Sequence, residues 1–472
     1  SGCSLIAGGQ GGGKKPSASP TASASSLEGT TSSAYGTEGM APIGKLSPTI
    51  QSSAMGIDAD TAQDKRWGKF YDQEISWEKC DDPKYSKAQC ATVEVPLKWN
   101  RPDGKTISLL ITKLEASGEK KGSLLMNPGG PGGSGNQSVA QYGSETTTEK
   151  LRQNYDLIGF DPRGVKDSAG IECLDDKGTD EYVSTTFSDT EAGSKDAEDA
   201  WKKVTKACKE NSGDLLQDLD TYSAARDMDV IRQAVGSKKL DYLGYSYGTY
   251  LGATYAELYP KRTGKMVLDG AVDPSLTADE VAAGQAAGFE DSVTSFVKWC
   301  QEGGTQKCPL KGSVEDGKKQ IRDFLAEANK NPVKTSSDRE LTGALALTGV
   351  LTPMYGNENW EFLAMALDQA FQGNGDLLLM FADLANERNS DGTFESNGSY
   401  AISAVNCLDR QGVVDEKWVE KESERLAKKY PTFGKDLGGS GTMCQQWPAK
   451  GVRTPAPIHA KGSSPIVVVG TT

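Results

Sequence analysis

The sequence predicts an α/β fold in which a mostly parallel central sheet is covered by helices and interrupted by a large helical insertion. Between residues 91 and 274, apolar strand-like runs alternate with helical stretches, which is typical of a sheet covered on both faces. From about residue 275 to 455 the strand signal fades and Ala- and Glu-rich helical segments take over. A chain of 472 residues is longer than one ordinary core usually organises, so either two domains or one large domain with a big insertion is expected.

The elements follow one another in a regular series. The first two strands are joined by the turn NRPDGK, and the next two are apolar runs that end in Gly and Pro, with a polar helical stretch between them. The predicted helix at 221–236 starts at a Thr and stops at a Gly. Strands are predicted at 91–99, 106–116, 122–130, 155–164, 239–246, 264–274 and 464–472, and helices at 221–236 and 247–260.

Four segments follow from this pattern. Residues 1–62 are predicted to be a disordered tether, 63–274 the first part of the core, 275–455 the helical cap and 456–472 the resumed core. The tether begins SGC, which resembles the end of a bacterial lipobox, so Cys3 is the expected lipid anchor. The alternative is a stray cysteine in a disordered tail. We therefore expect an extracellular protein held to the outer face of the cell membrane by acyl chains alone.

Charge and composition limit the kinds of partner that the protein is expected to bind. The chain carries 52 Lys and Arg against 65 Asp and Glu, a net charge of −13. An acidic surface of this kind argues against nucleic acid, because phosphate contacts need clustered Lys and Arg. No run of the sequence approaches the ~20 apolar residues of a membrane helix. A monomer, and no cofactor or metal, are expected.

The cysteines predict disulfide bonds. Apart from Cys3 there are eight, an even number in a chain expected to be exported. They fall into four successive pairs, each expected within one loop region. Metal binding is a weak alternative, since the sequence has no C-x-x-C and no histidine beside these cysteines. The predicted pairs are Cys80–Cys90, Cys173–Cys208, Cys300–Cys308 and Cys407–Cys444.

The stretch GYSYG places Ser246 in a G-x-S-x-G motif, the pattern of a nucleophile elbow. An apolar strand runs into it and a helix leaves it, as the elbow requires, and the flanking glycines allow strand and helix to approach closely. The alternative is an ordinary serine that caps a helix. This context favours a nucleophilic serine exposed on a tight turn.

A glycine-rich loop, NPGGPGGSG at 127–135, follows a predicted strand where this architecture keeps an oxyanion-hole donor. Tyr247, the residue after the nucleophile, would supply the second N–H. A phosphate-binding loop is the alternative, but the loop lacks both G-K-[ST] and G-x-G-x-x-G. The two segments together predict stabilisation of a tetrahedral oxyanion.

Five stretches, NPGGPGGSG, FDPRGVKDS, GYSYGTYLGATYAELYP, VLDGAVDP and AVNCLDR, occur in the order and spacing of a known family. Over residues 65–472 the chain resembles the secreted tripeptidyl aminopeptidases of the prolyl-iminopeptidase-like α/β-hydrolases. The resemblance implies a serine exopeptidase that releases short peptides from a free N-terminus beneath a helical cap. It also implies Ser246 as nucleophile, with Tyr247 and either Gly129 or Gly130 in the oxyanion hole.

The chain departs from that family at its catalytic acid and base. The order along this fold is Ser, then Asp or Glu, then His, and the family's last two follow a strand resembling PIVVVGTT. The single histidine, His459, precedes that strand and is expected not to be the base, while Asp269 and Asp273 are expected to shape a turn. We expect a nearly inactive chain that is C-terminally truncated, the alternative being a lineage that has lost the end of the domain. An esterase or lipase, and a peptide-binding surface lipoprotein without catalysis, are the alternative functions.

Overall fold

The computed structural model describes residues 65–186, 191–410, 412, 415–438, 440–451 and 453–470. The predicted tether at 1–62, with its candidate lipid anchor Cys3, lies outside the described residues. The strands are β1 Glu78–Lys79, β2 Gln89–Pro96, β3 Thr106–Leu114, β4 Gly122–Asn127, β5 Tyr155–Phe160, β6 Leu240–Tyr245, β7 Thr263–Asp269 and β8 Ile466–Val469.

One sheet contains all of these strands, in the order β1-β2-β3-β5-β4-β6-β7-β8. The pairs β1–β2, β2–β3 and β3–β5 are antiparallel, and the pairs from β5 through β4, β6 and β7 to β8 are parallel. The carboxyl ends of β4 and β6 are in register, with Asn127 opposite Gly244. This register brings the glycine-rich loop and the serine turn to the same edge of the sheet, where an open α/β sheet places its ligand site.

The helices lie in two groups along the chain. The first group precedes β7: α1 Gly68–Tyr71, α2 Gly135–Thr146, α3 Glu149–Asn154, α4 Asp176–Ser184, α5 Glu191–Leu216, α6 Thr221–Ala234 and α7 Tyr247–Leu258. The second group falls between β7 and β8: α8 Ala278–Trp299, α9 Val314–Ala328, α10 Gly343–Leu351, α11 Trp360–Phe371, α12 Asp376–Ala385, α13 Gly398–Asp409, α14 Glu416–Lys429 and α15 Gly434–Leu437.

The second group has an apolar core of its own. The sheet core includes buried residues of β2, β3, α6 and α7, such as Val93, Ile111 and Tyr255. A separate cluster forms between α8, α9, α10, α11 and α12, with Phe296 and Leu367 both completely buried. Because the helical segment buries its own side chains, it forms a packed unit between β7 and β8, the place of the predicted cap.

The structure confirms the predicted series of strands and helices but shortens some elements. The strand predicted at 264–274 ends at Asp269, because Gly270 has a φ of 68° and turns the chain away. The sequence also predicted nothing at α4 and α5, which together cover most of the connection between β5 and α6. Among the described residues, no helix is long and apolar enough to cross a membrane.

The four cysteine pairs are bonded as the sequence predicts, namely Cys80–Cys90, Cys173–Cys208, Cys300–Cys308 and Cys407–Cys444. The expectation that each pair lies within one loop region is wrong. Cys90 belongs to β2, Cys208 to α5 and Cys407 to α13. Each of these bonds therefore fixes a neighbouring segment to a regular element.

Candidate active site

Ser246 lies between β6 and α7 with φ 52° and ψ −122°, a left-handed backbone conformation that non-glycine residues rarely adopt. The glycines on either side are needed for space. A Cβ on Gly244 would lie 2.4 Å from the carbonyl oxygen of Gly248, and one on Gly248 would lie 2.8 Å from the carbonyl oxygen of Asn127. The sequence G-x-S-x-G therefore produces the strained turn of a nucleophile elbow.

Hydrogen bonds hold this turn in place. The Ser246 N–H donates to the carbonyl oxygen of Asp269 at 2.9 Å, which continues the pairing of β6 with β7. The Ser246 carbonyl oxygen accepts from both the N–H and the hydroxyl of Thr249, at 2.8 and 2.6 Å. The Thr249 hydroxyl oxygen in turn accepts the Val272 N–H at 2.9 Å. Hydrogen bonds on both sides of Ser246 thus hold its backbone in the strained conformation.

The glycine-rich loop packs directly against the elbow. Gly129 has φ 98°, and a Cβ there would lie 2.5 Å from the carbonyl oxygen of Tyr245 and 3.0 Å from the Cβ of Ser246. The Gly129 N–H donates to Oδ1 of Asn127 at 3.0 Å. Within the part of the chain that the structure describes, the N–H of Gly130 has no acceptor.

Tyr247 presents a second N–H group at the same place. It is the first residue of α7, and the first N–H groups of a helix have no acceptor inside that helix. The partial positive charge at a helix start also favours a developing oxyanion. The expected oxyanion donors, the N–H groups of Tyr247 and Gly130, therefore belong to the elbow and to the loop that packs against it.

Asp161, from the FDPRG stretch, holds the far end of the glycine-rich loop. Its Oδ1 accepts the Ser134 hydroxyl at 2.6 Å and the Asn136 N–H at 3.1 Å, while Ser134 caps α2. Burial raises the pKa of Asp161 to about 6, although the hydrogen bonds from Ser134 and Asn136 act to lower it. The carboxylate therefore ties the loop and the start of α2 to the end of β5.

Arg163, two residues further on, is completely buried with Asp227 of α6. The guanidinium donates from Nε and Nη2 to the two carboxylate oxygens at 2.7 and 2.6 Å. Its Nη1 and Nη2 also donate to the carbonyl oxygens of Leu97 and Pro96. This buried and fully hydrogen-bonded pair joins β2, the segment after β5 and α6 beneath the site.

His459 lies far from Ser246. Its side chain is exposed, and its backbone N–H donates to Oε2 of Glu257 at 2.9 Å. Glu257 is near the end of α7, roughly 16 Å along the helix axis from Ser246 at 1.5 Å per residue. Asp273 shapes a turn, because its Oδ1 accepts the N–H and hydroxyl of Ser275 at 2.8 and 2.7 Å. His459 is therefore not placed to act on the Ser246 hydroxyl, and the Asp273 carboxylate is hydrogen-bonded within its own turn.

Asp409, at the end of α13, is a buried carboxylate beside the elbow that the sequence did not single out. Its Oδ1 accepts the Thr221 N–H at 2.9 Å, and its Oδ2 accepts the Thr221 hydroxyl. The Thr221 hydroxyl oxygen also bonds the phenol of Tyr247. Burial, with a smaller contribution from nearby Asp220, raises the pKa of Asp409 to about 7. Its only sequence signal is that it belongs to the stretch AVNCLDR.

The elbow, the two N–H groups and the parallel sheet define a serine hydrolase with the α/β-hydrolase fold, and the family described as "alpha/beta hydrolase fold" matches residues 122–305. The chain is 34% identical to serine protease Hip1 of Mycobacterium tuberculosis (strain ATCC 25618 / H37Rv), over 85% of this chain and 80% of that protein.

Two further relatives have a similar sequence identity to this chain. Carboxylesterase B of the same strain is 34% identical, over 84% of this chain and 78% of that protein. Tripeptidyl aminopeptidase of Streptomyces coelicolor (strain ATCC BAA-471 / A3(2) / M145) is 31% identical, over 84% of this chain and 74% of that protein. The chain belongs to this family of serine hydrolases, which confirms the resemblance read from its motifs.

Proposed function

We propose that the protein is an extracellular serine exopeptidase that releases tripeptides from the free N-terminus of peptides. The observation that carries this proposal is the pair of N–H groups, of Gly130 and Tyr247, beside a strained serine under a helical cap. A tripeptidyl aminopeptidase among the relatives supports the substrate class. A cap over the site suits a peptide end better than the middle of a long chain.

The reaction proceeds through an acyl-enzyme. The Ser246 hydroxyl oxygen attacks the third peptide carbonyl and loses its proton to a general base, while the carbonyl oxygen becomes an oxyanion bound by the two N–H groups. The C–N bond then breaks, the base gives its proton to the leaving amine, and water releases the tripeptide by the same steps. Loss of one oxyanion donor typically costs ~3–4 kcal/mol in the barrier.

The base in this proposal is a histidine other than His459, because that side chain is exposed at the far end of α7. His459 is the single histidine of the sequence. Residues 1–472 alone are accordingly expected to be close to inactive.

The test compares substrates on a form of the protein that carries its base. A tripeptide arylamide with a free amino end should be cleaved, the same arylamide with an acetylated amino end should not, and Ser246→Ala should abolish cleavage. Equal cleavage of the free and acetylated arylamides would contradict an exopeptidase.

Esterase activity is the second candidate, favoured by the 34% identity to a carboxylesterase. It uses the same elbow and the same two N–H groups. A short-chain ester measured in parallel separates the two, since an esterase would cleave the ester and leave the free tripeptide arylamide intact. Absence of all Ser246-dependent turnover would instead favour a peptide-binding lipoprotein without catalysis.

We also propose that Cys3 carries lipid and holds the protein at the outer face of the membrane. The tail of Gly, Ser, Ala and Thr after Cys3 supports this role as a tether. Metabolic labelling with a fatty-acid analogue should depend on Cys3, and label retained in Cys3→Ala would refute the anchor.

A further inference from the structure

We infer that helix α13 of the cap sets the geometry of the oxyanion hole, and that Asp409 is the positioning residue through which it acts on Tyr247. The inference rests on the proposed function, because it assigns a role within the same site. It is carried by contacts at the two ends of α13, one to each half of the oxyanion hole.

The first end of α13 lies against the glycine-rich loop. A Cβ on Gly132 would lie 3.2 Å from the Cβ of Ala401, 3.2 Å from the carbonyl oxygen of Gly398 and 3.3 Å from the backbone nitrogen of Ile402. The absence of a side chain at Gly132 therefore lets the helix backbone rest on the loop. Gly130, the expected oxyanion donor of this loop, is two residues away.

The residue before α13 fixes this end to the core. Asn397 donates from Nδ2 to the carbonyl oxygens of Gly164 and Ile171, both at 2.9 Å, and its Oδ1 accepts the Lys166 N–H at 3.0 Å. One amide side chain thereby satisfies three backbone groups of the segment that follows β5. The start of α13 cannot shift along the loop without breaking these bonds.

The other end of α13 reaches the second oxyanion donor through a chain of hydrogen bonds. The single hydroxyl proton of Thr221 is directed at Asp409, so the Tyr247 phenol donates to the Thr221 oxygen. The Tyr247 side chain is buried, with 7% of its surface exposed. Since the backbone N–H of Tyr247 is an oxyanion donor, fixing its side chain helps to aim that N–H.

Two more contacts hold the Asp409 end of the helix. Arg410 donates to the carbonyl oxygens of Asp273 and Leu276, and its guanidinium lies 4.9 Å from the ring centroid of Tyr250. The disulfide Cys407–Cys444 secures the same turn of α13. These contacts make the end of α13 a firm support for Thr221.

The ionisation of Asp409 sets the direction of the hydrogen-bond chain. As an anion it accepts both Thr221 bonds; as a neutral acid it can donate to the Thr221 hydroxyl, which then points at Tyr247 and reverses the chain. Burial raises the pKa of the Tyr247 phenol well above its usual value, so the phenol keeps its proton. The titratable or charged groups that face Asp409 are Asp220, Arg410, Tyr222, Tyr247 and Tyr250.

The test that does not depend on turnover follows the Tyr247 amide by NMR in protein labelled with ¹⁵N-tyrosine, the signal being assigned by its loss in Tyr247→Phe. In the wild type and in Ser246→Ala the shift should change with pH around a midpoint near 7. The change should disappear in Asp409→Asn and in Thr221→Val, return in Thr221→Ser, and persist in the exposed cap control Asp291→Asn. A Tyr247 signal that does not titrate, or that titrates equally in Asp409→Asn, would overturn the inference.

Kinetics on a form that carries its base give the second measurement. Asp409→Asn and Thr221→Val should lower kcat for the tripeptide arylamide on the order of tenfold with little change in KM, because the loss is in transition-state binding. Thr221→Ser should recover most of the rate. An unchanged kcat, or a loss confined to KM, would contradict the positioning role. A wild type without turnover would count against the proposed function alone, since the NMR result still decides this inference.

Discussion

Replacing Asp409 by asparagine should change how the free energy of unfolding depends on pH. Burial raises the pKa of Asp409 from 3.8 to about 7. The folded protein therefore keeps a proton that the unfolded chain releases between these two values, so this residue lowers stability as the pH rises from about 4 to 7. Below the unfolded value both states hold the proton, and the penalty is absent. Asparagine cannot ionise and removes the penalty at high pH.

The size of the effect follows from the same values. The interval from 3.8 to about 7 spans about 3 pH units, and each unit is ~1.36 kcal/mol, so the ceiling is ~4 kcal/mol. Asparagine can accept the Thr221 N–H and donate to the Thr221 hydroxyl oxygen, but its second N–H is left unpaired, at a cost of ~1–3 kcal/mol. Asp409→Asn should thus be about 1–3 kcal/mol more stable than the wild type at pH 8.5, and less stable by about the same amount near pH 4.

Urea unfolding followed by tryptophan fluorescence, without reductant so that the disulfides stay intact, measures this difference at several pH values. Asp291→Asn, a change at an exposed position of α8, serves as the control and should follow the wild type throughout. Parallel pH profiles for Asp409→Asn and the wild type would refute the reasoning. A carboxylate kept at such a cost is consistent with a functional role, because sites under functional constraint often lower stability.

The remaining predictions concern the glycine-rich loop and the disulfides. Gly129→Ala should lower kcat at least about 100-fold, because its φ is 98° and the new Cβ would lie 2.5 Å from the carbonyl oxygen of Tyr245. Gly288→Ala, with nothing within 4 Å of its Cβ, should keep full activity and be up to ~1 kcal/mol more stable; equal activity of the two variants would be the contrary result. Non-reducing peptide mapping should recover the four neighbouring pairs, each stabilising by ~3 kcal/mol, and a peptide linking Cys90 to Cys173 would disprove the pairing.

The sequence predicts those parts of the site that depend on local geometry. Ser246 can be identified because an apolar strand, two glycines and a helix are adjacent in the chain, and the steric demands of the turn are met by neighbouring residues. The choice between Gly129 and Gly130 could not be made, because it depends on where the Asn127 side chain points. That orientation is a tertiary property and leaves no periodic signal.

The parts that the sequence did not predict depend on distant contacts. Asp409 bonds Thr221, 188 positions earlier, and an aspartate at the end of a helix usually faces solvent. Helix α5 was missed for another reason. Its buried residues Ala197, Trp201, Val204 and Cys208 do have helical spacing, but they are isolated among Lys, Glu and Asp. The periodicity was present there, although the low apolar content concealed it.

The most direct test of the central claim is the rate at which a fluorophosphonate probe labels Ser246. The claim predicts that residues 1–472 label only slowly, since a serine without its histidine retains just ~10³–10⁴-fold catalysis over water. It also predicts that a form carrying the base labels fast, and that His459→Ala changes neither rate. Fast labelling of residues 1–472 that is lost in His459→Ala would show that His459 is the base and would contradict the account.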